Sequence, residues 1–221
     1  MFISSEYNFS SLRGFIVVDG VNGAGKGTYI QKLADFLRSN EIEPLLTREP
    51  GGSELGNKLR PLILGEKCLG SLTELFLFSA DRNEHVEGKI EPALNNKQFV
   101  ISDRYYYSTT AFQGFGRGLP LDKINYINKL AINNCYPDLL ILLDIDPALG
   151  LARTKKRNSA EIDKMESEEL AFHTRIRNGF LELGKTCQEA CLLVDASCSP
   201  EEVWRKTEPY ILKLIEQWKK Q

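Results

Sequence analysis

The sequence predicts a doubly wound α/β fold around a parallel sheet, and three observations carry that reading. Five brief runs rich in Val, Ile, Leu and Phe recur along the chain with little polar alternation, as strands buried on both faces require. Longer amphipathic stretches separate them, which calls for crossover helices. The first run leads directly into a glycine-rich loop and then a helical pattern, the order of a phosphate cradle.

Taken in order, the runs are Phe15–Asp19, Leu45–Thr47, Phe99–Ser102, Leu139–Asp144 and Cys191–Val194. After the first, Ile30, Leu33, Ala34 and Leu37 fall at the spacing of one buried helix stripe. Ser71 with Glu74, and Ser199 with Glu202, each fit a capping box, in which hydroxyl and carboxylate satisfy amides at a helix start. Pro200 suits a first helical position. The segment Arg153–Glu169 is highly charged with few large apolar residues, as expected of a solvated helix face or of a lid closing over phosphates. Met1–Arg13 is polar and Ser-rich, and reads as an N-terminal extension before a single domain spanning 14–221.

Composition narrows the function classes. A chain of 221 residues buries roughly 70% of its unfolded surface, so stability requires no metal or disulfide. Twenty-eight basic residues against thirty acidic leave a net charge of −2, which gives no global attraction to a nucleic acid polymer or an anionic membrane. Cys68, Cys135, Cys187, Cys191 and Cys198 make an odd count without a CxxC pair; Cys187 and Cys191 sit four apart, a spacing compatible with one helix face. With His85 and His173 as the two histidines, a zinc site is disfavoured and reduced thiols are expected. No run reaches the roughly 18 apolar residues of a membrane helix, and no signal-peptide core precedes the domain. A soluble cytoplasmic protein is expected.

Gly20, Val21, Asn22, Gly23, Ala24, Gly25, Lys26, Gly27 and Thr28 form the GxxxxGK loop between the first strand and the first helix. Glycines let backbone amides turn inward around an anion, the helix N-terminus adds partial positive charge, and Lys26 reaches the β- and γ-phosphates. The hydroxyl that usually follows the lysine and ligates magnesium is displaced by one: Gly27 stands there and Thr28 comes next. Mg2+ is therefore expected to be held mainly by ATP oxygens, with Thr28 as a phosphate ligand. A switch GTPase is excluded because Asn96-Lys97-Gln98-Phe99 lacks the Asp of a guanine-reading NKxD.

Four arginine-bearing clusters lie at strand ends or on the helices after them, where α/β ligand sites form. They are Thr47-Arg48-Glu49-Pro50-Gly51-Gly52, Leu77-Phe78-Ser79-Ala80-Asp81-Arg82, Ser102-Asp103-Arg104-Tyr105, and Ala111-Phe112-Gln113-Gly114 with Arg117-Gly118. With the phosphate loop and Leu143-Asp144-Ile145-Asp146-Pro147, this ordered set closely resembles the thymidylate kinases from about Gly14 to the C-terminal helix.

The resemblance implies a three-layer P-loop kinase fold with a five-stranded parallel sheet and a helical lid segment at about 153–169. It implies transfer of the γ-phosphoryl group of ATP to dTMP, with Mg2+, in a homodimer. By the same likeness Phe78 stacks on thymine and Arg82 hydrogen-bonds the base. Gln113 and Thr109 complete that pocket, while Phe112 replaces a frequent Tyr and crowds the sugar. Arg48, Arg60 and Arg104 grip the acceptor phosphate, with Glu49 orienting those arginines or the sugar. Asp103 orders a magnesium-bound water or the acceptor phosphate. Asn22 stands where relatives carry an acid. Gly23 stands where some carry Arg, which shifts the cationic burden to Arg153, Lys155, Lys156 and Arg157. Arg153 and Arg157 are expected to serve the transferring phosphoryl, so that alanine at either lowers kcat more than it raises KM for ATP. Ala196, after Val194-Asp195, lies with its backbone against adenine. Arg48, Arg60, Arg82, Arg104, Arg117, Arg153, Arg157 and Lys26 are expected to converge on one cleft, with the acids mostly elsewhere. Two competitors stay open: another nucleoside monophosphate kinase, suggested by Gly25-Lys26-Gly27-Thr28, and a nucleotide-binding module without turnover, suggested by Gly27 and Asn22.

Overall fold

All five apolar runs form strands in a computed structural model that describes residues 2–4, 12–65, 69–157 and 165–221. The strands are β1 (Phe2–Ser4), β2 (Phe15–Gly20), β3 (Leu45–Arg48), β4 (Val100–Asp103), β5 (Leu139–Asp144) and β6 (Ala190–Asp195), ordered β1-β6-β5-β2-β4-β3. β2 to β6 run parallel. β2 is buried along its whole length and β5 over Leu139–Leu143, which is why neither strand alternates polar and apolar residues. β1 pairs antiparallel with β6, Phe2 opposite Leu193. Residues read as an extension from sequence thus add an edge strand to the sheet.

The helices are α1 (Lys26–Ser39), α2 (Glu54–Gly65), α3 (Ser71–His85), α4 (Glu91–Asn95), α5 (Tyr106–Thr109), α6 (Leu121–Ile132), α7 (Pro147–Arg157), α8 (Leu170–Thr186) and α9 (Pro200–Trp218), with π-helical turns at Val86–Ile90 and Thr110–Gly116. α1 buries Ile30, Leu33, Ala34 and Leu37, the stripe expected from spacing. The ring of Phe36 meets Trp204 of α9 edge-on at 5.1 Å.

Two local expectations resolve differently. Ser199 and Glu202 make the full capping box at the start of α9. Ser71 and Glu74 do not: α3 is preceded by Gly70 without a side-chain cap, and Glu74 is buried in contact with the π-helical turn after α5. Cys187 and Cys191 share no helix, since Cys187 ends α8 and Cys191 lies in β6.

β2 occupies the centre of the parallel strands. The chain moves from it to edge strand β3, returns to β4, then crosses to β5 and β6 on the other side. Arg48 pairs in register with Asp103 and Gly20 with Leu143, so the C-terminal ends of β2, β3, β4 and β5 share one rim of the sheet. That rim carries the site.

Candidate active site

The phosphate loop spans the gap between β2 and α1. Gly25 precedes α1 with φ 90, a conformation that glycine adopts without strain, and leaves the first amides of α1 open to an anion. Lys26 Nζ bonds the carbonyls of Gly20 and Val21 at 3.3 and 3.1 Å. Gly23 has φ 75 and faces α7 so closely that a Cβ there would fall on the carbonyl of Gly150. A larger residue at 23 would require the backbone at Gly150 to shift.

Two cavities flank the loop, both lined by Gly23 and Gly25. The first, about 260 Å³, collects Asn22, Lys26 and Gly27 from the loop. It takes Arg48 and Glu49 from the end of β3, Arg60 from α2, and Phe78 and Arg82 from α3. Asp103, Arg104, Thr109, Phe112 and Gln113 close it from β4 onward, and Met165 and Glu166 line it from the far side of the lid segment. The second, about 300 Å³, is lined by Ala24, Thr28, Arg153 and Ala196. Gly20 and Val21 line neither cavity. The side chain of Arg157 and residues 158–164 of the lid segment lie outside the described residues.

The expectation that the acids lie away from the cationic cleft is corrected: carboxylates hold its arginines in place. Arg82 is 1% exposed and donates through Nε to Glu49 Oε2 at 2.7 Å and through Nη1 to Thr109 Oγ1 at 2.8 Å. Because an ionised carboxylate only accepts, His85 Nδ1–H donates to Glu49 Oε1 at 3.0 Å, and Nε2 lies 2.6 Å from Thr47 Oγ1. Glu49 therefore orients Arg82, not the arginines at 48, 60 and 104. Gly52 packs on the His85 ring so tightly that any side chain there would displace it.

Arg104 has φ 73, a costly conformation without glycine that is held from both ends. Its Nη1 donates to Asp19 Oδ1, the Gly20 carbonyl and Ser108 Oγ at 3.1, 2.9 and 2.9 Å, and its Nη2 donates to Asn22 Oδ1 at 2.6 Å. Burial pushes the Asp19 carboxyl above the usual range, with Arg104 and Lys26 opposing that shift. The guanidinium also stacks over Phe112, 5.1 Å from the ring centre. Asn22 thus ties the phosphate loop to Arg104. Arg48 is exposed on the cavity rim, and Arg60 donates to the Pro50 carbonyl. Arg117 does not line the cavity; it pairs with Glu74 and Glu168 behind it.

Sequence reading assigned no role in this site to Asp19, Glu74, His85 or Ser108. A signal exists for Glu74: spacing of four puts Glu74, Phe78 and Arg82 on one face of α3.

Asp81 accepts the Gly51 amide at 2.9 Å, while its Oδ2 is buried with no hydrogen-bond partner among the described residues. Burial first, and the charge of Glu49 second, push its carboxyl from 3.8 up to about 6. The folded state therefore holds this proton more tightly than the unfolded chain. Stability from this group is fully present below about pH 4 and declines as pH rises through about 6. Asp81→Asn keeps the bond from Gly51 and is expected to flatten the fall in Tm between about pH 4 and 6, measured by thermal melts; an unchanged slope contradicts this.

In the second cavity, Arg153 Nη1 and Nη2 donate to the carbonyls of Ala196 and Ser197 at 3.0 and 3.3 Å. The guanidinium thereby braces the stretch after β6 on the wall opposite Thr28. Among the described residues no three His, Cys, Asp or Glu side chains cluster as metal ligands. Asp103 lines the first cavity, and its Oδ1 is buried with no hydrogen-bond partner among the described residues.

Residues 18–207 match the family model described as thymidylate kinase. The chain is 43% identical over 199 residues to a thymidylate kinase of Oleidesulfovibrio alaskensis, covering 87% of this chain and 94% of that one. It is 39% identical over 204 residues to a thymidylate kinase of a Geobacillus species, covering 91% and 97%. The crystal structure of thymidylate kinase from Ehrlichia chaffeensis superposes with a TM-score of 0.73 at 30% identity, over 91% of this chain and 100% of that one.

Proposed function

Because the chain belongs to the thymidylate kinase family, its reaction is transfer of the γ-phosphoryl group of ATP to dTMP, giving ADP and dTDP, and we propose how its own residues divide that work. The observation that carries the proposal is the pair of cavities meeting at Gly23 and Gly25. dTMP takes the cavity with Phe78, Arg82 and Gln113; ATP takes the one with Thr28, Arg153 and Ala196.

Thymine stacks on Phe78, with Arg82, Thr109 and Gln113 as polar readers. Phe112 closes on the sugar. Arg48, Arg60 and Arg104 take the acceptor phosphate, because a planar guanidinium donates two bonds to one phosphate. That phosphate already carries nucleophilic oxygen at neutral pH, so positioning and charge neutralisation dominate over base catalysis. Lys26 and the amides of the loop take the β- and γ-phosphates, with Thr28 beside them. Asp103 would hold Mg2+ through water, and bound Mg2+ would neutralise charge on the phosphate oxygens. The place of Asp103 in the cavity lining and the absence of a hydroxyl at Gly27 support this indirect mode.

Of the lid cations, Arg157 keeps the role opposite the transferring phosphoryl by sequence alone. Arg153 instead supports the donor pocket, given its bonds to the carbonyls at 196 and 197. Arg153→Ala is expected to raise KM for ATP about tenfold with kcat little changed. Steady-state kinetics decide, and a loss in kcat alone would restore a role in transfer.

Leu72 and Phe76 of α3 and Tyr126 and Leu130 of α6 are large, apolar and exposed on two helices that pack together. A second copy of the chain covers this surface in the proposed homodimer. No described helix is long and apolar enough to cross a membrane, and a cytoplasmic location is part of the same proposal.

An ADP-release assay across dTMP, dUMP, AMP, CMP and thymidine tests the reading. Turnover is expected to be highest with dTMP and to cease when EDTA exceeds all divalent metal. A preference for AMP would overturn the acceptor assignment, and binding without turnover would reduce the protein to a nucleotide-binding module.

A further inference from the structure

We infer that Glu74 is a specificity-determining residue: its buried carboxylate fixes the direction of the Gln113 amide, so that the acceptor pocket accepts a 4-oxo pyrimidine and rejects a 4-amino one. The inference rests on the assignment of the Phe78–Arg82–Gln113 cavity to the acceptor base.

Glu74 is 0% exposed and Gln113 1%. Gln113 Nε2 donates to Glu74 Oε1 at 2.8 Å. An ionised carboxylate accepts hydrogen bonds and donates none. Turning the amide over would set its carbonyl oxygen against that carboxylate, two buried acceptors without a proton between them. The nitrogen of Gln113 is therefore pinned towards Glu74.

This orientation has a chemical consequence at the base. Thymine and uracil offer an N3–H donor beside an O4 acceptor, and Gln113 in this orientation answers both: Oε1 accepts N3–H while the second amide hydrogen goes to O4. Cytosine offers an N3 acceptor beside an N4 amino donor and needs the amide turned over. Arg82 on the same wall is a donor with no acceptor atom, so it likewise has nothing to offer an amino group.

Arg117 makes the buried carboxylate tolerable. Its Nε and Nη2 lie 3.3 and 3.4 Å from Glu74 Oε1 and Oε2, and its Nη1 pairs with Glu168. Its guanidinium stacks on Phe172 at 4.5 Å. The amide that meets the base is thus set by an ion pair one layer behind it. Glu74 itself need not touch the nucleotide. It is a positioning residue.

The test is Glu74→Gln, which keeps shape and lets the partner of Gln113 either donate or accept. kcat/KM would be measured for dTMP, dUMP and dCMP with saturating ATP. The ratio of dTMP to dCMP is expected to fall about tenfold, while the ratio of dTMP to dUMP, which reports the methyl contact, stays unchanged, as does KM for ATP. A merely structural role would lower all three acceptors by one factor, and that result overturns the inference. If E74Q does not fold, the double variant E74Q/R117Q, which removes both charges of the buried pair and leaves only the partly exposed Glu168 without Arg117, is read in the same way. Independently of any variant, dCMP must compete with dTMP at least tenfold more weakly than dUMP does in the wild-type protein; equal competition overturns the inference. A wild-type protein with no turnover of dTMP would instead overturn the function assignment, so the two failures are distinguishable.

Discussion

Lys26→Met is expected to lower kcat about 10³-fold while changing KM for dTMP little. Removing one preorganised group that meets developing charge costs about 10² to 10³ in kcat, and Lys26 is the one cation of the loop itself. Its ammonium bonds the carbonyls of Gly20 and Val21 within the loop. In the proposed binding mode the acceptor base is held by Phe78, Arg82, Thr109 and Gln113 and not by Lys26, which is why acceptor affinity should survive. Steady-state kinetics with both substrates varied provide the check. A fall in kcat of less than tenfold would mean that the lid cations and bound metal neutralise the phosphates without the lysine.

Arg82→Met is expected to damage both stability and acceptor recognition. The Arg82–Glu49 pair is buried on both sides, at 1% and 2% side-chain exposure. Deleting one partner of such a pair leaves an uncompensated charge and costs about 3–5 kcal/mol. For a chain of this size that lowers Tm by roughly 10 °C. kcat/KM for dTMP should fall by about 10² because a buried donor to the base is gone. The double variant Arg82→Met with Glu49→Gln separates the two effects. It removes both charges, so Tm should recover towards the wild-type value while kcat/KM stays low. Recovery of both would mean that Arg82 serves the fold and not the base; recovery of neither would mean that Glu49 has a task beyond holding Arg82.

Much of the architecture was legible because its causes are local. The five apolar runs are strands, the stripe from Ile30 to Leu37 is buried, and the Ser199–Glu202 box closes as its spacing requires. Equally local is the loop from Gly20 to Thr28, whose glycines and lysine are contiguous in the chain. The failures arose where a tertiary contact outweighed a local option. Glu74 could cap α3 across a three-residue span, yet burial beside Gln113 and Arg117 takes the carboxylate inward. Cys187 and Cys191 have helical spacing, but α8 ends at Thr186 because β6 must begin at Ala190 to pair with β5.

By itself, then, the sequence determined the layer order of this protein, the position of its phosphate loop and five of the arginines around it, Arg48, Arg60, Arg82, Arg104 and Arg153. Those follow from periodicity, turn chemistry and residue type over a few neighbouring positions. Only the tertiary structure decided which acid holds which arginine. Arg82 meets Glu49 across 33 residues, Arg117 meets Glu74 across 43, and Arg104 meets Asp19 across 85. With thirty acids in the chain, spacing does not select among them; closure of the sheet does, by bringing the ends of β2, β3 and β4 to one rim and excluding water from the pairs between them. The net charge of −2 is accordingly compatible with a cationic cleft whose arginines meet carboxylates in its wall, at Glu49, and packed behind it, at Asp19 and Glu74.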